Sequence, residues 1–319
     1  MIKKVNFWQK QKKPIFTIAP MANVTDVAFR SIFAKYGKPD VMWTEFVSAD
    51  GLCSPGKEIL LRDLAFSDEE RPIVAQLFTG HPEKMFEAAQ IIEKLGFDGL
   101  DINMGCPDKS VEKQGSGAGH MKDFENAMVI IRAAKRGAQN LPISVKTRIG
   151  YSRVEIDTWI PILLKENLAA LTVHLRTRKE MSDVPAHWDL MPKIVSLRNE
   201  LSPETLIIGN GDVSSLEDGL AKIKESGCDG VMVGRGIFGN PWFFGKKKIS
   251  EITIKEKLEV MLEHAKAFDK FLGDVKNFSI MKKHFKAYVS GWDGAKELRV
   301  KLMECENFND VKKIVKDYL

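Results

Sequence analysis

The sequence predicts an α/β fold: a TIM (β/α)8 barrel followed by a C-terminal all-α helical bundle domain. Three observations predict it. Eight short apolar runs lie within the first 245 residues. Helical patterns separate them, as parallel βαβ units require. Beyond Gly245 the apolar residues recur only at helical spacing. A barrel takes about 250 residues, so the unit count and the length agree. No GxGxxG follows the first strand, which argues against a dinucleotide-binding open sheet.

In order along the chain, the opening MIKKVNFWQKQKKP is basic and lacks an apolar core region, so no signal peptide is expected. The expected strands are Ile15–Ala19, Val41–Phe46, Ile73–Phe78, Gly99–Asn103, Ile143–Arg148, Ala170–Leu175, Leu206–Asn210 and Gly230–Val233. Between them, Pro82–Leu95 carries Met85, Phe86, Ala89 and Ile92 at helical spacing. Phe124–Gly137 and Leu216–Ser226 read the same way. A boundary is expected near Gly245–Lys248, giving a barrel domain over 1–245 and a helical domain over 246–319. In the tail, Leu258, Met261, Leu262, Ala265, Phe268 and Leu272 mark one helix. Phe278, Met281, Phe285, Tyr288 and Val289 mark a second, and two shorter helices follow around Leu298 and Val311.

Composition narrows the class. Hydrophobic content of 44% and charged content of 29% are ordinary for a soluble protein. No apolar run approaches the ~18 residues of a membrane span, so no membrane partner is expected. Cysteines 53, 106, 228 and 305 include no close pair. That speaks against a zinc site or a disulfide framework and for a reducing, cytoplasmic setting. Of 48 Lys/Arg and 43 Asp/Glu, residues 246–319 hold 17 and 12, leaving the first 245 residues neutral. A basic appendage on a neutral body points to a polyanionic partner, although a solvated helical surface accounts for it equally well.

Polar residues occupy strand positions where a barrel needs an inward face. Ser144, Lys146 and Arg148 alternate with Ile143 and Val145. Thr172, His174 and Arg176 oppose Leu171, Val173 and Leu175, while Asp101 and Asn103 oppose Leu100 and Ile102. Helices cover the outer face, so the polar set must point inward, toward a polar ligand at the C-terminal mouth. Taken singly, His174 could be a core histidine, Lys146 could pair with Asp101, and Gln76 could cap a loop. Glycines in Gly209–Asp212 and Gly234–Gly236, with Arg235, end the last two strands, where barrels commonly bind phosphate. Cys106 lies in Asn103-Met104-Gly105-Cys106-Pro107, on a loop at a strand end, because Pro107 forbids a helix interior there.

These runs together resemble the tRNA-dihydrouridine synthases, flavoenzymes with an FMN-bearing TIM barrel and a helical C-terminal domain. The resemblance rests on Ala19–Asp26, Val74–Leu77, Asp101–Pro107, Val145–Arg148, Thr172–Arg178, Gly209–Asp212, Gly234–Gly236 and Lys283–Tyr288. It implies that Pro20, Met21, Ala22 and Gln76 lie against the flavin ring and that Lys146 meets its electron-rich edge. His174, Asn210, Gly211, Asp212, Gly234 and Arg235 would hold the ribityl-phosphate tail. Asn103 and Arg178 would hold the target uracil, and Cys106 would donate the proton. Lys282, Lys283, Lys286, Arg299 and Lys301 are the expected phosphate contacts to tRNA. NADPH or NADH would serve as transient reductant; no metal and no obligate protein partner are expected. His120 and the stretch Met181–Trp188 depart from the family's usual form. The competing readings are an FMN-dependent reductase of free pyrimidines, like the dihydroorotate dehydrogenases, and a non-catalytic RNA-binding flavoprotein.

Overall fold

The computed structural model describes residues 6–319; the first five residues of the basic N-terminal stretch lie outside the described part. Eight parallel strands form one sheet: β1 (Ile15–Ile18), β2 (Met42–Ser48), β3 (Ile73–Phe78), β4 (Gly99–Met104), β5 (Ile143–Arg148), β6 (Ala170–His174), β7 (Leu206–Asn210) and β8 (Gly230–Val233). β1 pairs with β8, and a parallel bridge from Thr17 to Val41 joins the β1 and β2 edges, so the sheet curls into a barrel. The expected strands agree to within one residue except β2, which starts one residue late at Met42 and runs two further, to Ser48. The reason is a bulge. Trp43 pairs with Val74 but Phe46 with Gln76, so one extra residue is inserted. The Thr44 hydroxyl accepts from the Gln76 N–H at 3.2 Å and donates to the Glu45 carbonyl at 2.8 Å.

The barrel floor is apolar and the mouth is polar. Trp8, on a 3-10 turn over Phe7–Lys10, packs at 5.7 Å from Trp43 among Ile15, Val41, Val74, Ala170, Ile208 and Met232. Outside, helix Pro82–Lys94 buries Met85, Ala88, Ala89 and Ile92. It crosses helix Phe124–Gly137 so closely that a Cβ on Gly137 would stand 2.4 Å from the Phe86 carbonyl oxygen. Each large apolar side chain buried in this shell is worth roughly 1.5–3 kcal/mol.

Four helices follow the barrel: Ile254–Leu272, Met281–Tyr288, Ala295–Met303 and Phe308–Tyr318. A capping box between Thr253 and Glu256 starts the first. Their core, which includes Leu258, Met261, Phe268, Phe285, Leu298, Leu302 and Val311, is continuous with Val27, Ala28 and Ile32 of the first barrel helix and with Trp242. The bundle is therefore seated on the barrel through apolar surface. Charged ties reinforce the seat: Glu263 accepts from Lys35 and Tyr36, Asp274 pairs with Arg62, and Lys276 bridges Glu45 and Asp63. Among the described residues no helix is long and apolar enough to cross a membrane.

Candidate active site

The mouth is built from strand ends upward. On β4, Asp101 and Asn103 point inward as their alternation predicts. The Asp101 carboxylate accepts from Gln76 Nε2 at 2.6 Å and from the Ser144 hydroxyl at 2.5 Å. Gln76 Oε1 accepts from Asn103 Nδ2 at 3.0 Å. Asn103 Oδ1 in turn accepts from the N–H groups of Gly105, at 3.1 Å, and Cys106, at 2.9 Å. Gln76 is thus a buried wall residue, not a loop cap. The Cys106 carbonyl accepts from Ala118 at 2.9 Å. Beside it Gly117 has φ +57°, and a Cβ there would lie 2.8 Å from that same oxygen, so only glycine fits against the cysteine loop.

Two adjoining cavities share Pro20, Met21, Lys146 and His174. The smaller, about 230 Å³, is lined also by Gln76, Asn103, Cys106 and Arg148. The larger, about 550 Å³, is lined also by Arg176, Asn210, Gly211, Asp212, Gly234 and Arg235. Lys146 Nζ donates to Asn210 Oδ1 at 3.2 Å, and Asn210 Nδ2 donates to the Met232 carbonyl at 2.7 Å. Lys146 therefore does not pair with Asp101, whose oxygens are taken by Gln76 and Ser144. Gly236 allows β8 to turn against Val213, whose carbonyl oxygen would lie 2.4 Å from a Cβ there.

The charge balance of the larger cavity is positive. Lys146, Arg176 and Arg235 line it, with Asp212 the one carboxylate on its wall, bonded to both arginines. Burial, with Lys146, Arg148, Arg176 and Arg235 around it, drives His174 well below the usual imidazole range. His174 is therefore neutral, and its Nε2 accepts from Arg176 at 3.2 Å, which leaves the proton on Nδ1. Burial, then the neighbouring Arg148, lowers Lys146 to about 8. Burial raises the Cys106 thiol above its ordinary value, so it stays protonated at neutral pH. A cavity with several convergent cations and a glycine-rich rim has the chemistry to hold an anionic group such as a phosphate.

The expected residues are mostly brought together, with two exceptions. Ala22 is exposed and lines neither cavity. Arg178 donates to Glu112 at 2.6 and 2.8 Å and to the Pro107 carbonyl at 3.3 Å, on the rim outside both cavities. Arg148 lines the cysteine cavity instead, held by the carbonyls of Gly105, Thr177 and Met181. Its inward position on β5 was legible from alternation; its closeness to Cys106 was not. Arg176 and Phe46 are further wall residues. His120 is buried and bonds through Nε2 to the Thr79 carbonyl at 3.1 Å; burial holds it at about 4, so it is neutral. In the tail, Lys282 and Lys286 lie one turn apart on helix Met281–Tyr288, opposite its buried face. Lys283 is half-buried toward Glu45 and Asp26, and Arg299 donates to the Val289 carbonyl at 2.8 Å.

Comparison with known proteins places this architecture. Residues 17–319 match the family model described as dihydrouridine synthase (Dus). A probable tRNA-dihydrouridine synthase of Staphylococcus aureus (strain MRSA252) is 41% identical over 318 residues, covering 99% of this chain and 96% of that protein. Probable tRNA-dihydrouridine synthase 2 of Bacillus subtilis (strain 168) is 41% identical over 316 residues, covering 98% and 96%. Among solved structures, histamine dehydrogenase from Rhizobium sp. 4-9 superposes with a TM-score of 0.55 at 13% identity over 79% of this chain. The 6-hydroxypseudooxynicotine amine oxidase of Pseudomonas geniculata N1 does so with a TM-score of 0.56 at 12% identity over 81%. This chain spans about half the length of each of these two proteins (48% and 53%), and at such identity they share only its fold. The family model and the two bacterial relatives reach across nearly the whole sequence, and the chain belongs to the dihydrouridine synthase family.

Proposed function

We propose that this protein reduces the C5=C6 bond of uridines in tRNA to give dihydrouridine, with FMN in the larger cavity and Cys106 as the proton donor. One observation carries the reading: a cationic, glycine-rimmed cavity opens directly into the pocket of a protonated thiol. The phosphate end of FMN would be held by Arg235, Gly234 and the Asn210–Asp212 turn, with Pro20, Met21 and Gln76 against the ring. When bound and reduced, FMN supplies the hydride that C6 of the base must receive. Cys106 gives its proton to C5 and regains one from water. Lys146, buried and positive, stabilises negative charge at the junction of the two cavities. Asn103 and Arg148 sit on the base side and orient it. The uridine must leave the RNA stack to reach this pocket. NADPH or NADH is the reductant class, and the cytoplasm the setting.

The reading is tested by supplying purified protein with FMN, NADPH and tRNA lacking dihydrouridine. A two-dalton gain at a uridine is expected; reduction of free uracil or orotate with none of tRNA would favour the small-molecule reductase instead.

The helical domain over 246–319 would dock the tRNA through its backbone. Deleting it would expose the apolar face of Val27, Ala28 and Ile32, so charge reversal is the cleaner probe. Lys282→Glu with Lys286→Glu should weaken tRNA binding and flatten the log–log salt dependence by about one unit for each phosphate no longer neutralised. A filter-binding series across salt checks this; an unchanged slope counts against these lysines.

Lys146 also sets a pH dependence for the cofactor. Its charge is present below about 8 and lost as pH rises through that value. FMN binding to the apo-protein should therefore weaken above about pH 8, by up to tenfold per unit. Lys146→Met should bind more weakly at pH 7 and show no such step when followed by flavin fluorescence.

A further inference from the structure

The hydrogen bonds between β3, β4 and β5 form a directed relay. It starts at a carboxylate and ends on the backbone of Cys106. We propose that Asp101 is a positioning residue that acts through Gln76 and Asn103 to hold the Cys106 loop in its place against the cavity. The geometry of the relay is independent of the reaction; only its consequence for turnover rests on the function proposed above.

Donors and acceptors fix the polarity of the relay. Burial raises the Asp101 carboxyl to about 6, so at neutral pH it is ionised and can only accept. Gln76 must then turn its Nε2 toward Asp101, at 2.6 Å, which leaves Oε1 facing Asn103. Asn103 must answer with Nδ2, at 3.0 Å, so its Oδ1 faces the N–H groups of Gly105 and Cys106. Backbone N–H groups can only donate, so both ends of the relay demand the same polarity. Every amide along it is left with one orientation. Ser144 completes the start by donating to the other carboxylate oxygen at 2.5 Å.

The relay also decides what the cavity wall offers a ligand. Each of the two amides spends one N–H inside the relay and has a second available. Asn103, which lines the cysteine cavity and keeps slight exposure, can present its second N–H to an acceptor-rich edge such as a uracil carbonyl. If the Asp101 acceptor is removed, Gln76 is free to turn. Asn103 then loses its fixed partner, and the Cys106 loop loses the side chain that caps two of its N–H groups. A displacement near 1 Å at a reacting group can lower a rate by about 10²-fold.

The test compares Asp101→Leu with Asp101→Asn. Both remove the charge and keep the branch at Cγ, leucine with added volume, but only asparagine retains an oxygen that can accept from Gln76. The probe is iodoacetamide on the flavin-free protein, with each cysteine followed by peptide mapping and Cys53 as internal control. Asp101→Leu should speed Cys106 alkylation at least fivefold, while Asp101→Asn stays within twofold of the parent. Gln76→Met, which removes the middle link, should match the leucine variant, and adding Asp101→Leu to it should change nothing further. If Asp101→Leu does not fold, Asp101→Ala, which also removes the acceptor and adds no volume, takes its place with the same expected and overturning outcomes. An unchanged rate in Asp101→Leu, equal effects of leucine and asparagine, or additive effects with Gln76→Met would each overturn the proposal. In turnover, Asp101→Leu should lower kcat about tenfold or more with KM for tRNA within twofold, and Asp101→Asn should restore it. A parent protein inactive on tRNA would sink the functional reading, while the alkylation rates would still decide the relay.

Discussion

Replacing Cys106 with alanine is expected to leave FMN uptake intact and to lower dihydrouridine formation by about 10²–10⁴-fold, the range that a positioned general acid contributes. The two halves of that expectation come from different cavities. Cys106 lines the smaller one, and the larger one, where the cofactor phosphate would lie, does not include it. The thiol is chemically suited to donation because burial raises it, although Lys146 and Arg148 pull the other way. A more solvated thiol beside the same two cations would ionise near neutral pH and lose the proton it must deliver. Burial thus decides the direction. The variant should still accept electrons from NADPH at the parent rate, so flavin reduction and reoxidation by tRNA separate the two half-reactions. Reoxidation at the parent rate would remove Cys106 from the role of donor.

The parts of this site that were legible in the sequence are those governed by a period. Strand alternation put Asp101, Asn103, Lys146, Arg148, His174 and Arg176 on the inward face, and that face does form the mouth. Alternation tells which way a side chain points but not what it meets. Lys146 could have paired with Asp101 on the sequence alone; in the fold it reaches Asn210, two strands away, because Gln76 and Ser144 occupy Asp101. Arg178 sits in a loop after β6, where no period applies, and its partner Glu112 comes from the segment beyond Cys106. The β2 bulge was hidden because an inserted residue interrupts the very alternation used to find a strand. Trp8 had no pattern at all: one of two adjacent aromatics in a short basic stretch, it closes the barrel floor only because β2 supplies Trp43 to meet it. The first barrel helix did carry a signal. Val27, Ala28, Phe29, Ile32 and Phe33 are too many apolar positions for one buried stripe. The surplus is explained by two faces, with Phe29 and Phe33 in the barrel shell and Val27, Ala28 and Ile32 under the helical bundle.

That same helix carries the largest stability effect expected of a single substitution. Arg30 and Glu70 are each 0% exposed and meet at 2.5 Å. Arg30 also donates to the carbonyls of Thr25, at 2.7 Å, and Ala65, at 2.5 Å, while Glu70 accepts from the Ser67 N–H at 2.8 Å. Arg30→Leu would leave a carboxylate buried without its counter-charge and two carbonyls without donors. Removing one partner of such a pair costs about 3–5 kcal/mol, because desolvation of the survivor is no longer offset. For a chain of this size that corresponds to a fall in Tm of roughly 4–8 °C. Arg30→Leu combined with Glu70→Met should recover part of the loss, since the buried charge is gone while the Thr25 and Ala65 carbonyls and the Ser67 N–H stay without their partners. The consequence reaches the site through Thr25. Its hydroxyl accepts from the Met21 N–H at 2.9 Å, and Met21 with Pro20 forms the wall common to both cavities. The single variant should therefore also bind FMN more weakly at temperatures well below its Tm, with the double variant intermediate because the Thr25 carbonyl still lacks its donor. Thermal melts of the apo-proteins alongside FMN titrations at about 20 °C separate the two effects. A single variant within about 1 kcal/mol of the parent, or a double variant no more stable than the single, would show that this pair does not hold the first loop in the way its burial implies.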